Sequence, residues 1–440
     1  MTSTTFSITA AFDRSLFWQH GGSVRYLVVR LNGQQEAVRQ RTERPALNIA
    51  LAIDASGSMA GEKLQAAKRA ALGLVGRLTE RDRLSVVSFA SDVIVHLDGI
   101  ACGPDNHERI AREINRLETR GMTNLSGGWM SAVECAAVIA EADPKMTARV
   151  IILSDGQANE GITNSGELAE HAGELRTRGV LTSALGIGDD YDEMLLRGMA
   201  EAGGGRLHDA ELASEIETVL LGEIEDIYET AVERVELVLT VPPGVQSNML
   251  GKGEGELRDG RLRFQLGAVQ NGVERVAVFR VTCPKAQPGE ELAFTVSANG
   301  MSAQDGAVLS ADTPKVLLCA AVGALNNAQP RDTALVPLVA RAWLAHVVAK
   351  AAAMNRVRAY REAGRMIAAE LKHFRRYVGD LPEGIAMVEQ LELLAQRADR
   401  ELSPRLSKEL MLNSSLLMES RMDRRGSGKE SWSERIRRGE

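Results

Sequence analysis

Leu47-Asn48-Ile49-Ala50-Leu51-Ala52-Ile53-Asp54-Ala55-Ser56-Gly57-Ser58-Met59 reads as a buried strand running into a polar turn. The strand delivers one carboxylate and two hydroxyls, from Asp54, Ser56 and Ser58, to the point where it ends. These are hard oxygen donors, suited to a small hard cation, and no thiolate or imidazole stands among them. A pattern this short also fits a serine-rich turn capping the next helix, so the rest of the chain has to discriminate.

Working outward, strand and helix patterns alternate. A helix is expected over 62–78, with Leu64, Ala67, Ala71, Leu74, Val75 and Leu78 on one face. A strand at 83–89 pairs antiparallel with 93–97 across Ala90-Ser91-Asp92. Helices follow at 106–117 and 126–140, then strand 149–153, helix 165–178, strand 180–187, helix 191–202, strand 205–208 and helix 212–221. This alternation implies βαβ units, a mostly parallel doubly wound sheet and helices on both faces. Open sheets of this kind bind ligands at the carboxyl ends of their strands, where the serine turn lies.

The other strand ends supply partners. Asp155 follows the apolar run Val150-Ile151-Ile152-Leu153 and shares an edge with Asp54, while Thr123 immediately precedes a helix. Three loops thus offer Asp54, Ser56, Ser58, Thr123 and Asp155 to one place. In order and separation this set resembles the metal-ion-dependent adhesion site (MIDAS) of von Willebrand factor type A domains. The resemblance covers roughly residues 45–222 and takes in the glycine turn Leu185-Gly186-Ile187-Gly188-Asp189-Asp190-Tyr191, similar to bacterial members. It implies a Rossmann-like fold and a Mg2+ site, with Mn2+ or Ca2+ as alternatives. Ser56 and Ser58 would contact the ion directly, Thr123 would join in the ligand-bound state, and Asp54 and Asp155 would act mostly through water. Such a site keeps a position for an Asp or Glu of a protein partner.

The flanks read differently. Residues 5–32 are strand-like, with Asn32-Gly33 closing a β-rich run, and short strands return at 232–241, 261–266, 274–282 and 291–298. We expect the α/β domain to be inserted in a small β-sandwich to which residues 5–32 contribute. The expected division is 1–44 for the first sandwich strands, 45–222 for the von Willebrand A domain, 223–312 for the sandwich, 313–423 for a helical domain and 424–440 for a disordered tail. In the helical part, Tyr360, Ala363, Ile367, Leu371, Phe374 and Val378 form one apolar stripe; Ile385, Val388, Leu391, Ala395 and Ala398 form a second. These flanks are similar to cytoplasmic bacterial proteins labelled calcium-activated chloride channel-like. The channel label is discounted, because no pore-forming helix is read here.

Charge is uneven. Residues 331–440 hold 21 Lys and Arg against 15 Asp and Glu, whereas residues 1–330 hold 31 against 44. The acidic body argues against nucleic-acid binding by the whole chain, though the basic C-terminal helices leave an acidic or nucleic-acid partner open there. Cys102, Cys135, Cys283 and Cys319 lie far apart without zinc-ligand spacing, so reduced cysteines are expected. The first twenty residues lack a secretory pattern, and the longest uninterrupted apolar run, 316–325, is about half a membrane span. A cytoplasmic protein without a membrane span is the expectation.

Other candidates carry less. Asp189, Asp190, Asp192 and Glu193 lack the spacing of a calcium loop and read as an acidic helix start. Gly251-x-Gly253-x-Gly255 reads as a hairpin connection, because no helix follows it. Trp129 and Asn159-Glu160-Gly161 lie near the metal loops and either pack or shape a rim. His96 and His208 end strands without a catalytic constellation. The leading reading is a metal-dependent protein–protein interaction module acting as scaffold or regulator; the resemblance suggests an ATPase or a kinase/phosphatase system as partner. The alternative is a Mg2+-dependent enzyme of phosphoryl transfer or hydrolysis. No second carboxylate set and no phosphate-cradling loop is present for it.

Overall fold

The computed structural model describes residues 4–35, 46–143, 146–251, 255–379, 381–419 and 432–438. It divides into two compact units: residues 36–230 with 303–307, and residues 1–35, 231–302 and 308–440.

The first unit is built on a six-stranded sheet in the order Val93–Ala101, Arg83–Phe89, Leu47–Asp54, Thr147–Ser154, Val180–Ile187, Gly204–Ala210. All neighbours are parallel except the Arg83–Phe89 and Val93–Ala101 pair. Every residue of Leu47–Asp54 and of Val180–Ile187 is buried, which is why these strands are continuously apolar rather than alternating. Alternate side chains still serve two cores. Ile49, Leu51, Ile53, Ile151 and Leu153 pack against helices Glu62–Val75, Pro104–Asn115 and Ile216–Tyr228. Ala50, Ala52, Val87, Val150 and Ile152 pack on the other face against Leu125–Ala142, Ser165–Thr177 and Glu193–Ala202. Small residues on this second face let the helices come close. Gly128 is the clearest case, since a Cβ there would lie 2.3 Å from the Phe89 ring.

A buried polar network joins the helix Ile216–Tyr228 to the sheet. Glu223 accepts from Ser183 (2.6 Å), Arg206 (3.0 Å) and the His208 ring (2.7 Å), with Arg149 at 3.4 Å. Burial opposes the charged carboxylate, but His208, Arg206 and Arg149 outweigh it and hold Glu223 well below the usual range. His208 is therefore a partner of a structural carboxylate.

In the second unit, Thr4–Phe12, Val24–Gln35, Arg275–Thr282 and Gln246–Met249 form one antiparallel sheet. Its inner face (Leu27, Val29, Leu31, Phe279) packs with Leu237 and Leu239 of Thr230–Thr240 and with Phe294 and Val296 of Glu291–Ser302, neighbouring strands of a second sheet, so the strands of residues 4–35 form one layer of a sandwich. The same Val24–Gln35 strand turns Tyr26 and Val28 outward into a helical core with Val339, Trp343, Ile367 and Phe374. The middle of that strand, Arg25–Val29, is thus buried on both sides, while Thr4–Phe12 keeps alternate residues exposed. Arg280 clamps Glu370 through two bonds of 3.0 and 2.9 Å, and Trp343 Nε1 donates to the same carboxylate at 2.6 Å.

Several expectations change. Val316–Ala321 is a strand between Glu291–Ser302 and Leu16–Trp18, so the helical part begins beyond the expected residue 313. Its Leu318 and Ala320 sit in the sandwich core with Val316 packed against it, while Leu317 is exposed. Of the second expected stripe, Val388, Leu391, Ala395 and Ala398 pack in or against the helical core; Ile385 is instead 62% exposed, and Leu394 is buried there. Gly384 lies close against Val378, 2.7 Å from where a Cβ would stand. Within the expected disordered tail, Trp432–Arg437 is a helix and Trp432 is buried in the helical core; residues 424–431 lie outside the described residues. So do Gly253 and the centre of the glycine hairpin. Helix Val336–Arg356 is long and apolar enough to cross a bilayer, a candidate that a scan for uninterrupted runs missed because Arg341 divides it. Much of it packs inside the unit through Val339, Ala340, Trp343 and Val347.

The Glu223 network predicts a stability signature. A carboxylate with a depressed folded-state pKa adds stability above its unfolded pKa, and that stability is lost as pH falls through the folded value. Glu223→Gln removes the carboxylate shared by Ser183, Arg149, Arg206 and His208, and should cost on the order of 3 kcal/mol at neutral pH. It should also flatten the acid limb of the stability profile below the ordinary glutamate range. Urea unfolding at stepped pH checks this; an unchanged midpoint and acid limb would contradict it.

Candidate metal centre

The carboxyl ends of the parallel strands lie on one edge. Ile53 is in register with Leu153, Asp54 with Phe89, and Ser154 with Gly186. Asp54 is the last residue of its strand and fully buried. One carboxylate oxygen accepts the Ser56 N–H at 2.8 Å, folding the chain into the turn; the other accepts the Ser154 hydroxyl at 2.6 Å. A short 3-10 turn, Gly57–Met59, follows and aims Ser56 Oγ and Ser58 Oγ at each other, 3.0 Å apart. Ser58 Oγ donates to Asp155 Oδ1 at 2.7 Å.

The loop that carries Thr123 is tied in by its backbone. Arg120 N–H donates to Ala55 O at 2.6 Å, Gly57 N–H to Gly121 O at 3.2 Å and Asn124 N–H to Ala90 O at 2.9 Å. Asn159 Oδ1 accepts Thr123 N–H at 2.9 Å, and the N–H groups of Asn159 and Glu160 donate to Thr123 O, each at 3.2 Å. Asn124 then caps helix Leu125–Ala142 through Gly127 N–H. Gly161, with φ +74, lets the 159–161 loop lie against Asn124 and Ser126, 2.4 Å from where its Cβ would be. Gly156 stands at the centre. A Cβ on it would be 3.6 Å from Ser58 Oγ and 3.7 Å from Thr123 Oγ1. All five residues singled out in the sequence therefore converge.

The electrostatics are those of a cation site. Burial pushes the Asp54 carboxyl up, against the bonds from Ser154 and Ser56, and the charge of Asp155 adds to the rise. Two carboxylates, both almost wholly removed from water, thus face a cluster of hydroxyls. The donor set is hard and oxygen-only, and it fits Mg2+ or a similar divalent ion. Among the described residues no group of three or more His, Cys, Asp or Glu side chains gathers as a metal site, here or elsewhere; this centre offers two carboxylates and neutral hydroxyls.

Asn159, which the sequence places near the metal loops, positions Thr123. Two contributors carry no sequence signal: Ser154, buried in the strand, holds Asp54, and Lys63 reaches Asp155 Oδ2 at 2.5 Å. Trp129 has no rim role: it is fully buried and donates to Thr182 Oγ1 at 3.2 Å. Asp192 caps Glu193–Ala202 through Leu195 N–H, and Glu193 pairs with Arg197 at 3.0 Å, so half of the acidic cluster is a helix start.

Comparison with known proteins agrees with this geometry. The family model for the von Willebrand factor type A domain matches residues 48–220. An uncharacterized protein of Synechocystis is 31% identical over 175 residues, 39% of this chain and 39% of that protein. Inter-alpha-trypsin inhibitor heavy chain H3 of Homo sapiens is 28% identical over 196 residues, 43% of this chain and 22% of that protein. The chain thus spans well under half the length of these curated relatives. Among solved structures, a von Willebrand factor type A protein from Catenulispora acidiphila superposes over 93% of this chain and 96% of its own, with a TM-score of 0.69 at 16% identity. The ArnB paralog VWA2 from Sulfolobus acidocaldarius covers 93% and 98% with a TM-score of 0.58, also at 16% identity. At such identities the likeness concerns the fold alone. Taken with the strand edge and its five convergent residues, the match makes residues 48–220 a von Willebrand factor type A domain.

Proposed function

We propose that this domain is a metal-dependent protein-interaction module, in which a divalent cation, Mg2+ by preference and Mn2+ or Ca2+ as substitutes, links it to an acidic residue of a partner. The observation that carries the reading is the convergence of Ser56, Ser58 and Thr123 with two buried carboxylates around a glycine. Ser56, Ser58 and Thr123 would hold the ion through their hydroxyls, with Asp54 and Asp155 behind them. A bound divalent ion supplies an electrophilic point that attracts a carboxylate. The chain's own residues do the rest. Ser154 and the Ser56 N–H fix Asp54, Asn159 fixes Thr123, and Gly156 keeps the space between the hydroxyls free of side chain. Neutral hydroxyls as principal ligands leave most of the ion's charge unspent, which favours binding an anionic partner group over activating water. The similarity to an inhibitor heavy chain also favours binding.

The steric part is testable without knowing the partner. Gly156→Val carries methyl groups toward Ser58 and Thr123 and should abolish Mn2+ binding in calorimetry, while changing unfolding free energy by roughly 1 kcal/mol or less. Retained Mn2+ affinity in a folded variant would place the cation elsewhere. For the partner, Mg2+-dependent capture should disappear in EDTA and in Asp54→Ala with the fold intact by circular dichroism. Equal capture with chelator would overturn the interaction reading, and metal-dependent phosphatase turnover lost in Asp155→Ala would replace it with an enzyme.

A further inference from the structure

Lys63 is the second residue of helix Glu62–Val75. A cation in a first helical turn is locally unfavourable, because the helix dipole and the free N–H groups there already carry positive charge. The helix has no side-chain N-cap: Gly61, at φ +79, occupies that position. Glu62, also in the first turn, pairs with Arg69 at 2.5 Å rather than with Lys63. What holds Lys63 is Asp155, whose Oδ2 lies 2.5 Å from Nζ while its Oδ1 accepts from Ser58. The Asp155 side chain is fully buried, while that of Lys63 is 34% exposed. Its Nζ also lies 3.9 Å from the Cβ position of Gly188, in the neighbouring turn. A local rule broken beside a site marks a residue kept for the site.

We propose that Lys63 is a built-in counter-ion of this centre, which neutralises Asp155 in the metal-free protein, competes with the divalent cation for that carboxylate, and leaves the loaded site with surplus positive charge for an acidic partner. The inference rests on the reading of the site as a metal centre. The charge balance shows the consequence. The hydroxyls in contact with the ion leave its charge unspent locally, but over the whole cluster Asp54 and Asp155 balance a divalent ion; the ammonium adds one positive charge to that sum. Affinity for the metal is thereby exchanged for affinity toward the partner. The long, half-exposed stem of Lys63 lets the ammonium shift outward as the ion enters without leaving the neighbourhood.

The test compares the full chain with Lys63→Gln, Lys63→Met and Lys63→Arg, using Mn2+ as the metal and glutarate as the carboxylate probe. Mn2+ binding is read by electron paramagnetic resonance, and glutarate by its displacement of water from bound Mn2+ in proton relaxation. At low ionic strength Lys63→Gln should bind Mn2+ about tenfold more tightly than the parent, an advantage that shrinks as salt screens the charge. Lys63→Arg should stay near the parent, and the loaded Gln variant should bind glutarate several-fold more weakly. Lys63→Met keeps the apolar stem and stands in if the Gln variant does not fold. Mn2+ uptake by the parent with unchanged or weaker uptake by both neutral variants would overturn the counter-ion assignment alone. No Mn2+ uptake by the parent would overturn the metal centre with it.

Discussion

Two carboxylates buried at the edge of an apolar sheet set the terms for the α/β unit. Asp54 and Asp155 terminate strands whose residues are almost all removed from water, where an uncompensated charge is expensive. Each compensation the structure provides also builds the site. The Ser56 N–H and the Ser154 hydroxyl satisfy Asp54, while Ser58 and Lys63 satisfy Asp155. The hydroxyls drawn in to solvate the carboxylates are the ones that can ligate a cation. Polar satisfaction and function are here one arrangement.

That arrangement depends on close packing behind it. Gly128 lets helix Leu125–Ala142 lie on the Phe89 ring, which brings the N-terminus of the helix, and Thr123 just before it, to the strand edge. Gly186 does the same for Tyr191, whose hydroxyl reaches Asp209 at 2.9 Å and fixes the turn beyond Asp155's neighbouring strand. On the far side of the unit, the Glu223 network adds a charged anchor to the apolar packing of the last helix. Thus one face is set by small residues and the other partly by a buried ionic cluster.

The α/β unit was readable in the sequence because its strands are long and apolar and its helices strongly periodic. Asp54, Ser56, Ser58, Thr123 and Asp155 were readable because each follows or precedes such an element. Lys63 and Ser154 were not, because a lysine near a helix start and a serine in a strand carry no pattern of their own; only the fold brings them to the carboxylates. The sandwich was legible in outline, yet the strand Val316–Ala321 was not, since a short apolar run next to helices reads equally well as either. Trp432 was hidden by its polar neighbours, which outweigh one aromatic in any window.

The most direct test of the account is anomalous diffraction from crystals grown with Mn2+. The account predicts one strong peak within about 2.1 Å of the hydroxyl oxygens of Ser56 and Ser58, the oxygen distance of a small divalent ion, with Asp54 and Asp155 behind it. A peak at another place, or none beside these hydroxyls at saturating Mn2+, would contradict it.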